Sequence, residues 1–167
     1  MTEAKVGDPF AEDTVLGPLS SLRAAELLAD QVDKAVAQGA TLVTGGTRDG
    51  AFYPGTVLTG VTGDMDAYGE EFFGPVGVVY KAAGEDEAVA IANDTPFGLS
   101  SNVWTRDGAE VERFVRDLDA GGVFFNGMTA SHPAFPFGGE KRSGYGRELS
   151  GHGIREFCNI TTVWHGA

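Results

Sequence analysis

Hydrophobic positions in this chain fall into short runs whose spacing changes along its length. From Ser20 or Ser21 onward, Leu22, Ala25, Ala29, Val32 and Val36 recur at intervals of three and four and end before Gly39. That spacing predicts an amphipathic helix with a serine N-cap and a glycine stop. Ahead of it, Gly7, Pro9, Gly17 and Pro18 mark residues 1–19 as an extended lead-in. Behind it, Ala40 to Thr44 reads as a short strand, Gly45-Gly46 as a turn, and Tyr53 to Leu58 as a second extended segment.

From Val76 the pattern becomes regular. Val76 to Lys81 is an apolar strand, Glu85 to Asn93 a short helix with acids in its first turn, and Ser100 to Thr105 a strand. Asp107 caps another helix that puts Val111, Phe114, Val115 and Leu118 on one stripe before Gly121-Gly122, and Val123 to Asn126 is the next buried strand. Alternating strands and helices with short links predict an α/β fold, a parallel sheet flanked by helices with right-handed crossovers. Ligands of such sheets bind beyond the carboxyl ends of the strands.

Two stretches break the alternation. Phe135-Pro136-Phe137-Gly138-Gly139-Glu140-Lys141-Arg142-Ser143-Gly144-Tyr145-Gly146-Arg147-Glu148 follows the last buried strand, and its glycines and proline suit neither helix nor sheet. It is expected to be an ordered loop at the ligand end, its backbone groups satisfied without a ladder. At the other extreme, Ile154 to Cys158 reads as the end of a helix and Asn159 to Trp164 as a β-rich strand with no hairpin mate, an edge that needs covering.

Composition narrows the partners. With 24 acidic against 12 basic residues the formal charge is −12, which repels phosphate backbones and anionic lipid, so neither nucleic acid nor a membrane is expected. No apolar run approaches the roughly 20 residues of a spanning helix, and Met1-Thr2-Glu3-Ala4-Lys5 has no signal pattern, so a cytoplasmic location is the expectation. The single cysteine, Cys158, has no internal disulfide mate, and three scattered histidines with one cysteine lack metal-ligand spacing.

The loop at 135–148, together with Tyr68-Gly69-Glu70-Glu71-Phe72-Phe73-Gly74-Pro75-Val76 upstream and Glu156-Phe157-Cys158-Asn159-Ile160-Thr161-Thr162-Val163-Trp164 at the end, resembles the C-terminal part of an NAD(P)-dependent aldehyde dehydrogenase. The resemblance runs from about Lys5 to Trp164, with three motifs in family order. Asn126-Gly127-Met128-Thr129-Ala130-Ser131, together with Glu156-Phe157-Cys158-Asn159-Ile160, looks most like succinate-semialdehyde dehydrogenases. It implies residues 5–153 as the C-terminal portion of the catalytic domain and 154–167 as a tail whose strand joins a sheet shared between subunits. It also implies that the catalytic cysteine, the general-base glutamate and the nucleotide-binding domain lie upstream, so the isolated chain is expected to be inactive.

Each candidate residue carries a plainer reading beside the functional one. A carboxylate two residues before an aromatic can hold a sugar diol against a ring, or can be a solvated acid beside a core phenylalanine. The resemblance assigns Glu71 to the nicotinamide ribose and Phe73 to the nicotinamide, with Glu70 and Phe72 structural. It places Ser131 and Phe137 at the mouth of the aldehyde tunnel, where a serine favours a substrate with a polar, carboxylate-bearing end; a loop serine also caps turns. His132 reads as a loop histidine. Lys141, Arg142, Arg147 and Glu148 read as salt bridges and subunit contacts, since neither the phosphate-loop pattern nor the third glycine of the dinucleotide fingerprint is present. Cys158 reads as a small buried hydrophobe rather than a nucleophile.

The family's reaction is attack of a cysteine thiolate on the aldehyde, hydride transfer to NAD or NADP, and hydrolysis of the thioester by glutamate-activated water. This portion would supply cofactor and substrate contacts and an assembly strand. The rival expectation is a non-catalytic self-association module of the same fold.

Overall fold

In the computed structural model, which describes residues 1 and 3–166, the chain divides into two compact units, Met1–Lys81 and Ala82–Ala167. The first is organised on α1 (Leu22–Gln38). Ser21 is its N-cap, the hydroxyl accepting from the Ala24 N–H at 3.1 Å, and Gly39 closes it at φ 118°, a left-handed conformation open to glycine. The predicted stripe is displaced by about one residue. Ala25, Leu28, Val32 and Ala35 are the buried positions, whereas Leu22 is 52% and Val36 40% exposed. Leu28 lies outside the predicted stripe because Leu27, Leu28 and Ala29 are consecutive apolar positions, and only packing decides which row turns inward.

Against this face lies a three-stranded sheet in the order β1-β2-β3: β1 (Thr41–Thr44), β2 (Thr56–Thr59) and β3 (Val76–Val79). β1 runs antiparallel and β3 parallel to β2. Leu28, Val32, Tyr53, Leu58 and Val61 meet in one core with Phe72, Val76 and Val78 packed at its margin. Full burial of a side chain the size of Leu28 or Val32 contributes roughly 1.5–3 kcal/mol. The turn at Gly45-Gly46 is explained by contact as well as by φ. A Cβ on Gly45 would stand 2.3 Å from Thr56 Oγ1, and that buried hydroxyl accepts from the Gly46 N–H at 2.9 Å. A short helix that the spacing did not predict, α2 (Asp66–Gly69), is tied to the end of α1 by Gln38, which donates to Asp66 Oδ2 at 2.7 Å and accepts from its N–H at 3.0 Å.

The second unit follows the predicted alternation closely: α3 (Glu85–Asn93), β4 (Phe97–Gly98), β5 (Ser100–Val103), α4 (Gly108–Asp117), β6 (Gly122–Phe125), β7 (Glu140–Lys141) and α5 (Ser150–Arg155). Asp107 caps α4 by accepting from the Ala109 N–H at 2.8 Å. Arg113 on α4 ties it to the acidic start of α3, pairing with Glu85 at 2.8 Å and with Asp86. The parallel pairing appears in pieces. β5 and β6 pair in parallel, Ser100 opposite Gly122 through Val103 opposite Phe125, while β3 pairs with β2, which precedes the alternation. Alternation identifies strands and their direction, not their neighbours.

The tail departs from expectation. Asn159 to Gly166 forms no strand, and Ile160, Val163 and Trp164 are 97%, 74% and 87% exposed. A strand exists only through a partner's hydrogen bonds, and none of the described residues offers one here. Cys158 is exposed rather than buried, its thiol donating to the Ile154 carbonyl at 3.6 Å. Among the described residues no helix is long and apolar enough to cross a membrane.

Candidate functional site

Glu71 and Phe73 sit in the crossing that leads from α2 into β3, and the geometry there separates alternate residues. Phe72 packs at the margin of the core, while Phe73 is 77% exposed. Glu70 accepts from Gln31 Nε2 at 3.2 Å, and the same amide donates to the Glu71 carbonyl at 3.3 Å. Gln31 therefore holds the backbone of the motif and leaves the Glu71 carboxylate in solvent. Gly74 packs close to α1: a Cβ there would lie 2.3 Å from Leu28 Cδ2, so the leucine side chain would have to shift. The Pro75 carbonyl then accepts from the Thr56 N–H at 2.8 Å, which starts β3 beside β2.

These constraints leave a cleft of about 380 Å³ between the motif and α1, lined by Ala24, Leu27, Leu28, Gln31, Glu71 and Phe73. One wall is aliphatic, one is an aromatic face, and a carboxylate stands at the rim. That set can pack a flat heterocycle and accept hydroxyl hydrogen bonds from a sugar. Leu27 and Gln31 were not singled out from the sequence. They fall on the solvent side of the helix, and only the approach of the motif makes that side concave. Nearby, Lys34 and Asp66 pair at 2.6 Å on the surface. Hydrogen bonding to Asp66 raises the Lys34 pKa, and Lys34 followed by Gln38 holds Asp66 below the usual carboxylate range.

In the second unit the site begins at the end of β6. Asn126 adopts φ 53°, and its side chain replaces the next rung of the ladder by donating to the Thr105 carbonyl at 2.9 Å and accepting from the Thr105 N–H at 3.1 Å. Asparagine tolerates this left-handed conformation better than most residues. Three residues on, Thr129 Oγ1 lies 2.7 Å from Ser100 Oγ and donates to Asn102 Oδ1 at 3.2 Å, which pins the loop back on β5. Ser131 is exposed beyond that anchor. His132 accepts from the Ala134 N–H at 3.2 Å and its ring meets that of Phe135 at 5.2 Å, tilted by 46°, a turn-capping arrangement.

Phe137 is half-buried and bridges Glu148, the two exchanging N–H···O=C bonds of 2.9 and 2.7 Å. The glycine-rich loop between them is tied down at several points, the Arg142 N–H donating to the Pro96 carbonyl at 2.9 Å and the Ser143 N–H to the Glu140 carbonyl at 3.0 Å. Arg147 donates to the Gly139 and Gly146 carbonyls at 2.9 and 2.8 Å and pairs with Glu140 at 3.2 Å. Lys141 pairs with Asp119 at 3.0 Å and donates to the Asn93 carbonyl at 2.8 Å. Arg142 instead lies over the Phe97 ring at 5.6 Å. The tightest point is Gly121, where a Cβ would come 1.8 Å from the Gly138 carbonyl oxygen. Glu71 and Phe73 thus share one cleft, and Ser131 and Phe137 belong to one loop of the other unit.

Comparison with known proteins agrees with this arrangement of motifs. Residues 1–163 match the aldehyde dehydrogenase family. The chain belongs to that family. It is 57% identical to a succinate-semialdehyde dehydrogenase [NADP+] of Mycobacterium ulcerans, over 99% of this chain and 37% of that protein. Among solved structures, the succinic semialdehyde dehydrogenase of Streptococcus pyogenes in complex with NADP+ is 39% identical, with a TM-score of 0.91 over 98% of this chain and 37% of that one. Aldehyde dehydrogenase 21 of Physcomitrella patens, in complex with succinate, is 40% identical with a TM-score of 0.87, over 92% and 32%. The chain therefore spans little more than a third of the relatives it matches, and its fold is the corresponding α/β portion of theirs.

Proposed function

We propose that this chain is the part of a succinate-semialdehyde dehydrogenase that holds the reactive end of NADP and shapes the aldehyde entrance. The observation that carries the reading is the 57% identity to the mycobacterial succinate-semialdehyde dehydrogenase across almost the whole chain. The cleft at Glu71 and Phe73 supports it, being apolar on two sides with a free carboxylate at the rim. Glu71 accepts the hydroxyls of the nicotinamide ribose and Phe73 packs on the nicotinamide, which accepts hydride from the substrate when the cofactor is bound. Ser131 hydrogen-bonds the carboxylate end of succinate semialdehyde, and Phe137 forms the apolar side of the entrance. Residues 5–153 form the catalytic-domain portion and 154–167 the tail whose strand pairs on self-association.

The nucleophile is not Cys158. Its exposed thiol contacts only a helix-end carbonyl among the described residues. The isolated chain is therefore expected to produce no NADPH from succinate semialdehyde, with or without Cys158→Ser.

A chimaera tests the positive half of the reading. In it this chain replaces the matching part of the M. ulcerans enzyme. The chimaera is expected to oxidise succinate semialdehyde with NADP, and Ser131→Ala to raise KM for that substrate about tenfold, roughly 1.4 kcal/mol, while leaving KM for an unsubstituted alkyl aldehyde unchanged. Glu71→Gln is expected to raise KM for NADP. A folded chimaera that prefers alkyl aldehydes, or one indifferent to both changes, sinks the assignment.

A further inference from the structure

One face of α1 changes character along its length. Gln38, Lys34, Gln31, Leu27 and Ala24 follow one another at intervals of three and four, so they form a single row on the helix. The C-terminal part of that row fastens α2. Gln38 grips Asp66 twice, donating to its carboxylate at 2.7 Å and accepting from its N–H at 3.0 Å, and Lys34 pairs with the same carboxylate at 2.6 Å. Gln31 comes next, and its Nε2 uses both hydrogens, one on Glu70 Oε2 at 3.2 Å and one on the Glu71 carbonyl at 3.3 Å. Beyond Gln31 the row turns aliphatic, and the cleft opens between Ala24, Leu27 and Phe73.

Gln31 is thus the last polar fastening before the cleft, and it holds the residue whose carboxylate stands at the rim. A bond to the Glu71 carbonyl fixes the peptide plane between Glu71 and Phe72, and with it the directions in which the neighbouring side chains leave the backbone. Its part in stability is small, because these bonds lie at the surface and outside the buried cluster.

We infer that Gln31 is a positioning residue for the nicotinamide ribose. By holding the Glu71 carbonyl it aims the Glu71 carboxylate at the ribose hydroxyls, and the sugar's share of cofactor binding depends on it. The inference rests on the functional reading of Glu71 and Phe73, and adds to it a residue from α1 that touches no reacting atom.

Two small probes isolate the sugar. Nicotinamide riboside carries the cationic ring and the ribose, and 1-methylnicotinamide carries the same ring without the sugar. The ratio of their dissociation constants therefore reads the ribose contacts, while ring packing and net charge cancel. Both are titrated into the full chain by NMR. The unchanged chain is expected to prefer the riboside about tenfold, and Glu71→Gln to remove most of that preference. Gln31→Met keeps a stem of similar length without an N–H, and is expected to cut the preference at least about threefold with no change in melting temperature. Exchanging the pair, Gln31→Glu with Glu70→Gln, rebuilds the bond between the two side chains at the same net charge but leaves the Glu71 carbonyl without its donor. That double variant is expected to behave as Gln31→Met does.

Full preference in Gln31→Met, with the preference lost in Glu71→Gln, overturns this inference alone and leaves the functional reading standing. An exchange that restores the preference overturns it too, moving the role to the Glu70 bond. Equal weakening of both probes with a lower melting temperature makes Gln31 a structural residue and has the same effect. If the unchanged chain shows no preference, or Glu71→Gln leaves it untouched, the ribose assignment of the functional reading falls and takes the role of Gln31 with it.

Discussion

Asn126 shows how much one side chain decides. It ends β6, turns the chain at φ 53° and closes both hydrogen bonds to Thr105, so the loop that carries Ser131 starts from a fixed point. Asn126→Ala is expected to cost about 1–3 kcal/mol in urea unfolding followed by tryptophan fluorescence, with Asn126→Gly recovering only the part due to φ. Gly121→Ala is expected to be worse, at least about 3 kcal/mol, because the added methyl meets the Gly138 backbone, which cannot swing away. Tyr53 makes the opposite case. It is 1% exposed, its hydroxyl is buried, and burial, with Asp33 adding to it and the Thr56 hydroxyl opposing it, pushes its phenol pKa up. Folding thus favours the neutral phenol. The unfolded chain ionises first, near pH 10, and Tyr53's contribution is lost as pH rises from there through the raised folded value. Tyr53→Phe is expected to change stability at pH 7 by less than about 1 kcal/mol and to flatten that alkaline fall, as read by thermal melts from pH 7 to 11.

At the scale of elements, α1 was legible almost to the residue because its ends are chemical. Ser21 and Gly39 are the caps that were expected. Ser21→Ala is expected to cost about 1 kcal/mol by circular dichroism melts, and Gly39→Ala a similar amount. The buried row was less legible, because periodicity sets a stripe's spacing while its phase depends on what it packs against. The same holds for the sheets. β3, β5 and β6 were expected to share one parallel sheet, yet β5 pairs with β6 while β3 pairs with β2, and the pattern carries no signal for strand order. α3 and α4 are joined through Arg113 with Glu85, Asp86 and Asp117, a network that patterning does not reveal. These are surface pairs, so Arg113→Ala is expected to cost no more than about 1 kcal/mol, and less in 1 M salt.

For the whole molecule, the distribution of burial is the main result. Among the described residues, the first unit carries the buried apolar core and the cleft at Glu71 and Phe73, and the second carries the glycine-rich loop, a two-stranded parallel pair and an exposed apolar tail. A chain stopped after Cys158 is expected to keep the melting transition of the first unit, because the described residues of its core and core margin all lie before Lys81. It is also expected to self-associate less than the full chain in sedimentation velocity, because the proposed pairing strand is gone.

By itself the sequence determined the elements that depend on local chemistry: capped helices, β-rich strands, a glycine-rich loop, and motifs specific enough to place the chain in its family. The alternation of Phe72 inward and Phe73 outward also followed from the motif. Tertiary structure alone decided which face of α1 is buried, that Leu27 and Gln31 wall the cleft, that Cys158 is exposed, and that the tail forms no strand. The reason is the same in each case. A cap or a turn is satisfied by residues a few positions away, whereas a buried row, a cleft wall or a strand pairing is satisfied by a partner remote in sequence, and for the tail no such partner lies among the described residues.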